Sequence, residues 1–450
     1  IQNQLGFLLS NYINQTEIPK EIEQSFNLDV NFKDVNGILE FFSLDTYVEP
    51  FSTLSATYDY SKKALDVKFD SEKVIYKELI FRGISLNNKL DSVKGSVYYF
   101  IEKAKFNDSI SVRNLYFDSY IKPNKLLTNT GFDGSGSVEP ALFAFDTRLA
   151  TNHDVVTNFS PSFFHLGGEK WDINPESILL WNPDVIKIEN FNIVNLDQLI
   201  SFNGTVSENP KDWLNFRIKD FDLSVLNRFF DNDMTLEGEL NIDGGLADLY
   251  GKIRLMVISD VKELTVNKEL VGDILVDSKW DQISNSVKLN GNLKRDSLET
   301  FTFFGDYFVE KEEESLDLFV SFDTTDISFL NAFSDKEMYT NIEGIIDGDL
   351  HVGGMLVNPV IKGNLEVLSA KVKIPMFNVD FGLSGMLNLA EGEILADDLN
   401  VYDQEGNESI AMLQIYHFDW LDWNYDITLD MEDPNVTETF LVMNTDYKEG

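Results

Sequence analysis

Trp423-Asn424-Tyr425-Asp426-Ile427-Thr428-Leu429-Asp430-Met431-Glu432 decides the fold. Every odd position is large and apolar, and every even one is polar or acidic. Side chains on a strand leave alternately on opposite faces, so this stretch reads as a strand with one greasy and one charged face. The pattern recurs along the chain. Leu65, Val67 and Phe69 alternate with Asp66 and Lys68, and Leu214, Phe216 and Ile218 alternate with Asn215, Arg217 and Lys219. Leu316, Leu318, Val320 and Phe322 form another such set, as do Phe377, Val379, Phe381 and Leu383. Between these runs lie turn signals: Asn290-Gly291, Asp347-Gly348, Gly353-Gly354 and Glu405-Gly406-Asn407. Short strands joined by tight turns give an all-β chain with an antiparallel sheet wetted on one side.

Helical spacing is scarce. Leu5, Leu8, Leu9 and Tyr12 suit one short amphipathic stretch at the start, and Asp222–Phe230 and Asp326–Phe333 each suit a turn or two behind an Asp N-cap. The last two belong to a repeat. Asp222-Leu-Ser-Val-Leu-Asn-Arg-Phe-Phe-Asp-Asn-Asp-Met234 matches Asp326-Ile-Ser-Phe-Leu-Asn-Ala-Phe-Ser-Asp-Lys-Glu-Met338, 104 residues later. Glu237-Gly238 and Glu343-Gly344 follow, then alternating strands, then Gly251-Lys252-Ile253 and Ile361-Lys362-Gly363. A unit repeated in this way points to a solenoid-like array.

Composition narrows the function. The chain of 450 residues exceeds what one compact core usually serves, so two domains or one elongated repeating body are expected. A formal charge of −40 repels phosphate-rich partners, which excludes nucleic acid and disfavours docking on anionic head groups. With no cysteine, disulfides and Cys-based metal sites are ruled out. No apolar run approaches the roughly 18 residues of a membrane-spanning helix. Ile1–Ser10 lacks the pattern of a signal peptide, and the chain reads as an internal piece of something longer.

Catalytic constellations are not found. His153, His165, His351 and His417 are scattered without metal-ligand spacing, so no metal and no cofactor is expected. Asp231-Asn232-Asp233 and Glu312-Glu313-Glu314 lack the twelve-residue pattern of a calcium loop and read as solvated turns. Gly131-Phe-Asp-Gly-Ser-Gly136 lacks the order of a nucleophile elbow. The chain is read as a non-enzyme.

Gly354-Met-Leu-Val-Asn-Pro359-Val-Ile361-Lys-Gly363-Asn-Leu365 resembles the Gly-x4-Pro-x-Ile-x-Gly signature of TamB and its AsmA-like relatives. Leu399–Glu408 is similar to the strand and turn that precede a new blade of sheet in that family. Phe440-Leu-Val-Met-Asn-Thr445 resembles a Phe-Leu-Val-Leu-Asn-Thr stretch of its Bacteroidota members, and Trp171-Asp-Ile173, Ile178, Ile186-Lys-Ile188 and Asn190-Phe191 fit the same pattern. The likeness runs from about Trp171 to the end and weakens upstream. This gives an upstream segment, 1–160, opening on the short helix, and a repeating segment, 161–450. The family's N-terminal membrane anchor and its extreme C-terminal segment have no counterpart here.

The resemblance implies an elongated antiparallel sheet curled lengthwise into a taco-like hydrophobic groove. It implies a periplasmic protein that bridges inner and outer membranes and carries phospholipid. The implied partners are the inner membrane, through the missing anchor, and a barrel of the outer-membrane assembly class, with a weaker implied role in outer-membrane protein assembly. The groove would be lined by the apolar members of the alternating strands: Leu214, Phe216, Ile218, Ile253, Leu255, Val257, Leu316, Leu318, Val320, Phe322, Phe377, Val379, Phe381, Leu383, Tyr425, Ile427 and Leu429. Acyl tails would supply the missing contacts, at roughly 0.8 kcal/mol per buried CH₂. Two other readings compete. A secreted β-sandwich array, acting as an adhesin or glycan-binding protein, would close the same apolar faces into sealed cores. A polysaccharide-degrading β-helix would need shorter, more regular coils and a charged cluster at one patch.

Overall fold

Alternation becomes strand after strand of antiparallel sheet in the computed structural model. It describes residues 23–444 apart from 108–109, 137, 151–153, 230–233, 252, 296–297, 334–339, 375–378, 404–405, 419–421 and 434–435. Strand accounts for 73% of the chain and helix for 5%, so backbone groups find their partners mainly on neighbouring strands. The all-β, antiparallel class expected from the sequence is the one found. The N-terminal helical stretch (Leu5–Tyr12) lies outside the described residues. Contacts divide the chain into two units, Ile1–Phe216 and Arg217–Gly450. The sequence-based boundary at 160/161 falls inside the first.

In the first unit β1 (Phe26–Phe32) pairs with β3 (Ser52–Asp59). The intervening chain forms α1 (Asn36–Phe41) and β2 (Thr46–Val48), and β2 pairs with the end of β4 (Ala64–Tyr76). A meander follows through β5 (Leu79–Leu90), β6 (Gly95–Lys105), β7 (Ser111–Lys122), β8 (Lys125–Asp133) and β9 (Ala141–Leu149). The sheet then runs as two short tracks. One is β10 (Val155–Phe159) with β13 (Ile178–Trp181), and the other is β11 (Ser162–Leu166) with β12 (Glu169–Ile173). Both leave β9 and rejoin on β14 (Val185–Asn195), which pairs with β15 (Gln198–Ser207). Buried Ser162 and Ser177 close the seam through their hydroxyls: Ser162 accepts from Ala144 N at 2.8 Å, and Ser177 donates to Asn190 O at 2.9 Å. Trp171 is wholly buried beside this junction. β16 (Trp213–Asp222) carries the division between the units.

In the second unit each strand pairs with the next: β17 (Leu236–Ala247), β18 (Arg254–Val266), β19 (Glu269–Asp281), β20 (Ser286–Arg295), β21 (Leu298–Tyr307), β22 (Leu316–Asp326) and β23 (Thr340–Met355). The meander continues through β24 (Asn358–Ile374), β25 (Val379–Ala390), β26 (Glu393–Tyr402), β27 (Glu408–Phe418), β28 (Asp422–Asp433) and β29 (Val436–Asn444).

The sequence repeat is also structural. A 3-10 helix follows β16 at Leu223–Phe229 and another follows β22 at Ser328–Phe333. In each, an Asp carboxylate accepts the backbone N–H two residues on: Ser224 N to Asp222 and Ser328 N to Asp326, both at 2.8 Å. Each also places an Asn against the strand that follows. Asn227 bonds both backbone groups of Leu236, and Asn331 both backbone groups of Ile342, at 2.7–2.9 Å.

Extra residues are absorbed without turning the sheet over. The pairing jumps at Arg113/Tyr116, Ile188/Phe191, Val261/Leu264 and Phe322/Thr325. Each jump contains one residue in the left-handed region: Asn114, Asn190, Glu263 and Thr324, with φ between 50° and 52°. Such bulges swallow one residue and return the next apolar side chain to its former face.

Glycine matters at two close approaches. Gly348 has φ 138°, and an added Cβ would press on the carbonyl of Asn364 across the strand pair. At Gly291 the ring of Phe303 occupies the place of a side chain. Gly348→Ala is expected to cost about 1–3 kcal/mol, read as a lower urea midpoint at unchanged m-value.

Candidate functional site: one apolar sheet face

Directly paired residues on adjacent strands share a face, so the register identifies which side chains lie together. One row starts at Gly244 and passes through Val257, Ser278, Leu289, Gly305, Leu318, Val352 and Ile361. The next runs from Val276 through Gly291, Phe303, Val320, Leu350 and Gly363 to Leu389. A third links Leu293, Phe301, Phe322, Gly348, Leu365 and Leu387.

Packing joins these rows to the later strands. Leu387 touches the cluster of Ile327, Ile346 and Val367, where Phe322 also packs. It also touches the cluster of Ala396, Leu399, Val401 and Ala411, where Phe381, Leu383 and Leu413 pack. Leu413, Ile415 and Ala411 are in turn opposite Ile427, Tyr425 and Leu429.

The sequence-derived residues therefore distribute as follows. Leu255, Val257, Leu318, Val320, Phe322, Phe381 and Leu383 are half-buried on this face, and Leu316 is buried. Val379 is opposite Ile374 in the β24–β25 pair, and Tyr425, Ile427 and Leu429 occupy the matching register positions on β28. Ile253 sits half-buried just ahead of β18. Leu214, Phe216 and Ile218 are half-buried along β16, with Asn215, Arg217 and Lys219 exposed between them. Phe377 lies outside the described residues.

The face also holds residues that alternation did not single out, among them Leu289, Phe303, Leu350 and Leu365. Glycines at Gly344, Gly348, Gly353 and Gly354 break the visible pattern of β23, which hid its contribution. Another part of the site is the 3-10 helix Ser328–Phe333. Phe329 and Ala332 are buried against Val266, Val271 and Leu293, with Phe301 and Ile274 packed alongside. Asn267 Nδ2 donates to Ala332 O at 3.0 Å, and Arg295 donates to the Ser328 hydroxyl. The helix touches both β19 and β23.

The opposite face is charged. Lys279, Lys288, Asp306 and Asp317 form one row across β19–β22. Lys288 bonds Asp306 at 3.1 Å, and Asp317 bonds His351 at 2.7 Å. Exposed apolar groups interrupt it: Phe304 and Phe319 stack at 5.5 Å, and Phe319 meets the ring of His351 at 4.9 Å. The stacked Phe304 and Phe319 rings support the β21–β22 pairing.

Burial holds His417, opposite Trp423 on β28, below the usual imidazole range. Among the described residues no group of three or more His, Asp or Glu side chains is arranged to hold a metal ion. No helix there is long and apolar enough to cross a membrane, which says nothing of strands. No family model, curated protein or solved structure matches the chain.

Two outcomes follow. Phe329→Ala should cost about 3–5 kcal/mol, as for other large-to-small core substitutions, seen as a lower thermal or urea midpoint. A histidine whose pKa is depressed on folding binds fewer protons in the native state. His417 should therefore leave stability unchanged above about pH 6.5 and reduce it as the pH falls below that value. His417→Gln should flatten this part of the stability–pH curve.

Proposed function

We propose that the chain is a TamB-like lipid carrier whose apolar sheet face receives phospholipid acyl chains. The observation that carries this reading is the state of that face. It is continuous in register from β17 to β27, yet Leu318, Val320, Phe322, Leu350, Leu365 and Leu387 all remain half-buried. A sealed β-sandwich core would hide them between two layers about 10 Å apart. Here the buried clusters are drawn from neighbouring strands and from the 3-10 helix segment. The 3-10 helix Ser328–Phe333 covers only part of this face, against Val266, Val271 and Leu293.

The chemistry suits transport. Each methylene placed on the face gains roughly 0.8 kcal/mol, and rows of Leu, Val, Ile and Phe give a tail no single deep well. The charged outer face keeps a long sheet soluble and discourages pairing at its edges. The family resemblance extends the proposal to a place in the periplasm, between inner and outer membranes, with a barrel of the outer-membrane assembly class as partner. No catalytic role is proposed. The adhesin or glycan-binding sandwich array remains the competing class, and it requires a second layer over the face.

Organic extracts of the purified chain, analysed by mass spectrometry, should contain phospholipid. A Leu318→Asp, Phe381→Asp variant that keeps its β-sheet circular dichroism should lose it. A folded parent free of lipid would overturn the proposal in favour of the sandwich array.

A further inference from the structure

The two rims of the first unit differ in chemistry. Where β1 and β4 end and β3 and β5 begin, the connecting chain exposes large apolar side chains set among the carboxylates of Asp34, Glu40 and Asp45. α1 buries none of its residues. Phe41 is 81% exposed and Phe42 65%, and their rings meet edge-on at 5.3 Å. Ile38, Leu44 and Phe51 beside them are 61%, 53% and 73% exposed. Tyr76 in the β4–β5 turn and Phe106 after β6 are exposed at the same rim. At the opposite rim the turns from β3 to β8 are Ser61-Lys62-Lys63, Asp91-Ser92-Val93-Lys94 and Lys122-Pro123-Asn124-Lys125, charged and polar around a single exposed valine, with Trp181 exposed further along. Large apolar groups gathered on one rim mark an interaction site.

A second feature lies behind the apolar rim. Lys73, Arg82, Lys103 and Arg113 are directly paired across β4, β5, β6 and β7. Like charges in direct opposition destabilise a sheet, and in a chain of net charge −40 such a row does not arise from an excess of base. Lys73 lies 5.3 Å from the Tyr47 ring centroid, and Arg113 Nε donates to Gly134 O at 3.2 Å. Arg82 and Lys103 are exposed and form no ion pair among the described residues. Glu72 and Glu102, one position further in, likewise form no ion pair there. The row sits two or three residues back from the rim, about 7–10 Å at the rise of a strand.

We infer that this rim docks on a phospholipid bilayer, its apolar tips entering the acyl boundary and its Lys/Arg row meeting the lipid phosphates. The distance of about 7–10 Å from the strand ends to the row matches the roughly 5–10 Å over which interfacial segments cross the head-group layer. The apolar residues of α1 project without a packed underside, which suits hydrocarbon better than a shaped protein surface. The acidic remainder of the chain repels anionic membranes, so zwitterionic phospholipid, whose phosphate is the anion in reach, is enough. The inference goes beyond the lipid-carrying reading and does not require it, because the rim belongs to the first unit and is tested without reference to bound lipid.

Flotation of the whole chain with phosphatidylcholine vesicles, alone or containing phosphatidylglycerol, tests it. The parent should float with both. Phe41→Ser, Phe42→Ser should lower the bound fraction on the order of tenfold or more at an unchanged thermal midpoint, because α1 supports no core. On the phosphatidylglycerol-containing vesicles Arg82→Gln, Lys103→Gln should weaken binding roughly fivefold for each cation removed, with reduced salt dependence. A parent that stays with the unbound protein, or a tip variant that floats as the parent does, would overturn the docking edge. A row variant indistinguishable from the parent would overturn the phosphate contact.

Discussion

Side-chain alternation tied to an unbroken register is the constraint on which the rest of this structure depends. A slip of one residue in any pair would send a whole strand's apolar set to the charged side. From Val257 to Leu318 the pairing crosses four interfaces and keeps the same face throughout. Where a strand carries an extra residue, a single left-handed position restores the facing, as Thr324 does between Phe322 and Thr325. The bulges are therefore part of how the apolar face stays whole.

That face is balanced between two demands. It needs enough contact to hold the strands in place, which the local clusters supply: Val266, Val271 and Leu293 under the 3-10 helix, and Ala396, Leu399, Val401 and Ala411 further on. It also remains incompletely covered between them. In the second unit the repeated Asp–Asn helix element sets this balance. In its second copy Asn331 clamps the entry to β23, while Phe329 packs on Val266, Val271 and Leu293. The two copies share their polar bonds, so the repeat conserves a joint in the backbone.

Much of this was legible in the sequence. Period-two runs such as Leu316–Phe322 identified strands and the side chains that share a face, and Asp222 and Asp326 identified the helix starts. The contribution of β23 was hidden because its glycines, needed where Asn364 O and other carbonyls approach, carry no side chain to count. The bulges were equally hidden, because a left-handed Glu263 or Thr324 has no strong residue signature, whereas Asn114 and Asn190 do. Net charge misled in another way. A total of −40 concealed the local row of Lys73, Arg82, Lys103 and Arg113, which exists only once four strands are brought into register. The two short tracks between β9 and β14 have no sequence signature at all, since strands of four or five residues leave too few alternations to count.

The central claim is that β22 presents one side to lipid and the other to water. The chain contains no cysteine, so single cysteines at Asp317, Leu318, Phe319 and Val320 can each carry a nitroxide without background. Electron paramagnetic resonance in the presence of a spin-labelled phospholipid then reads the contact directly. Dipolar broadening at positions 318 and 320, with narrow spectra at 317 and 319, is the predicted result. Equal spectra at all four positions, or broadening at 317 and 319, would contradict the account.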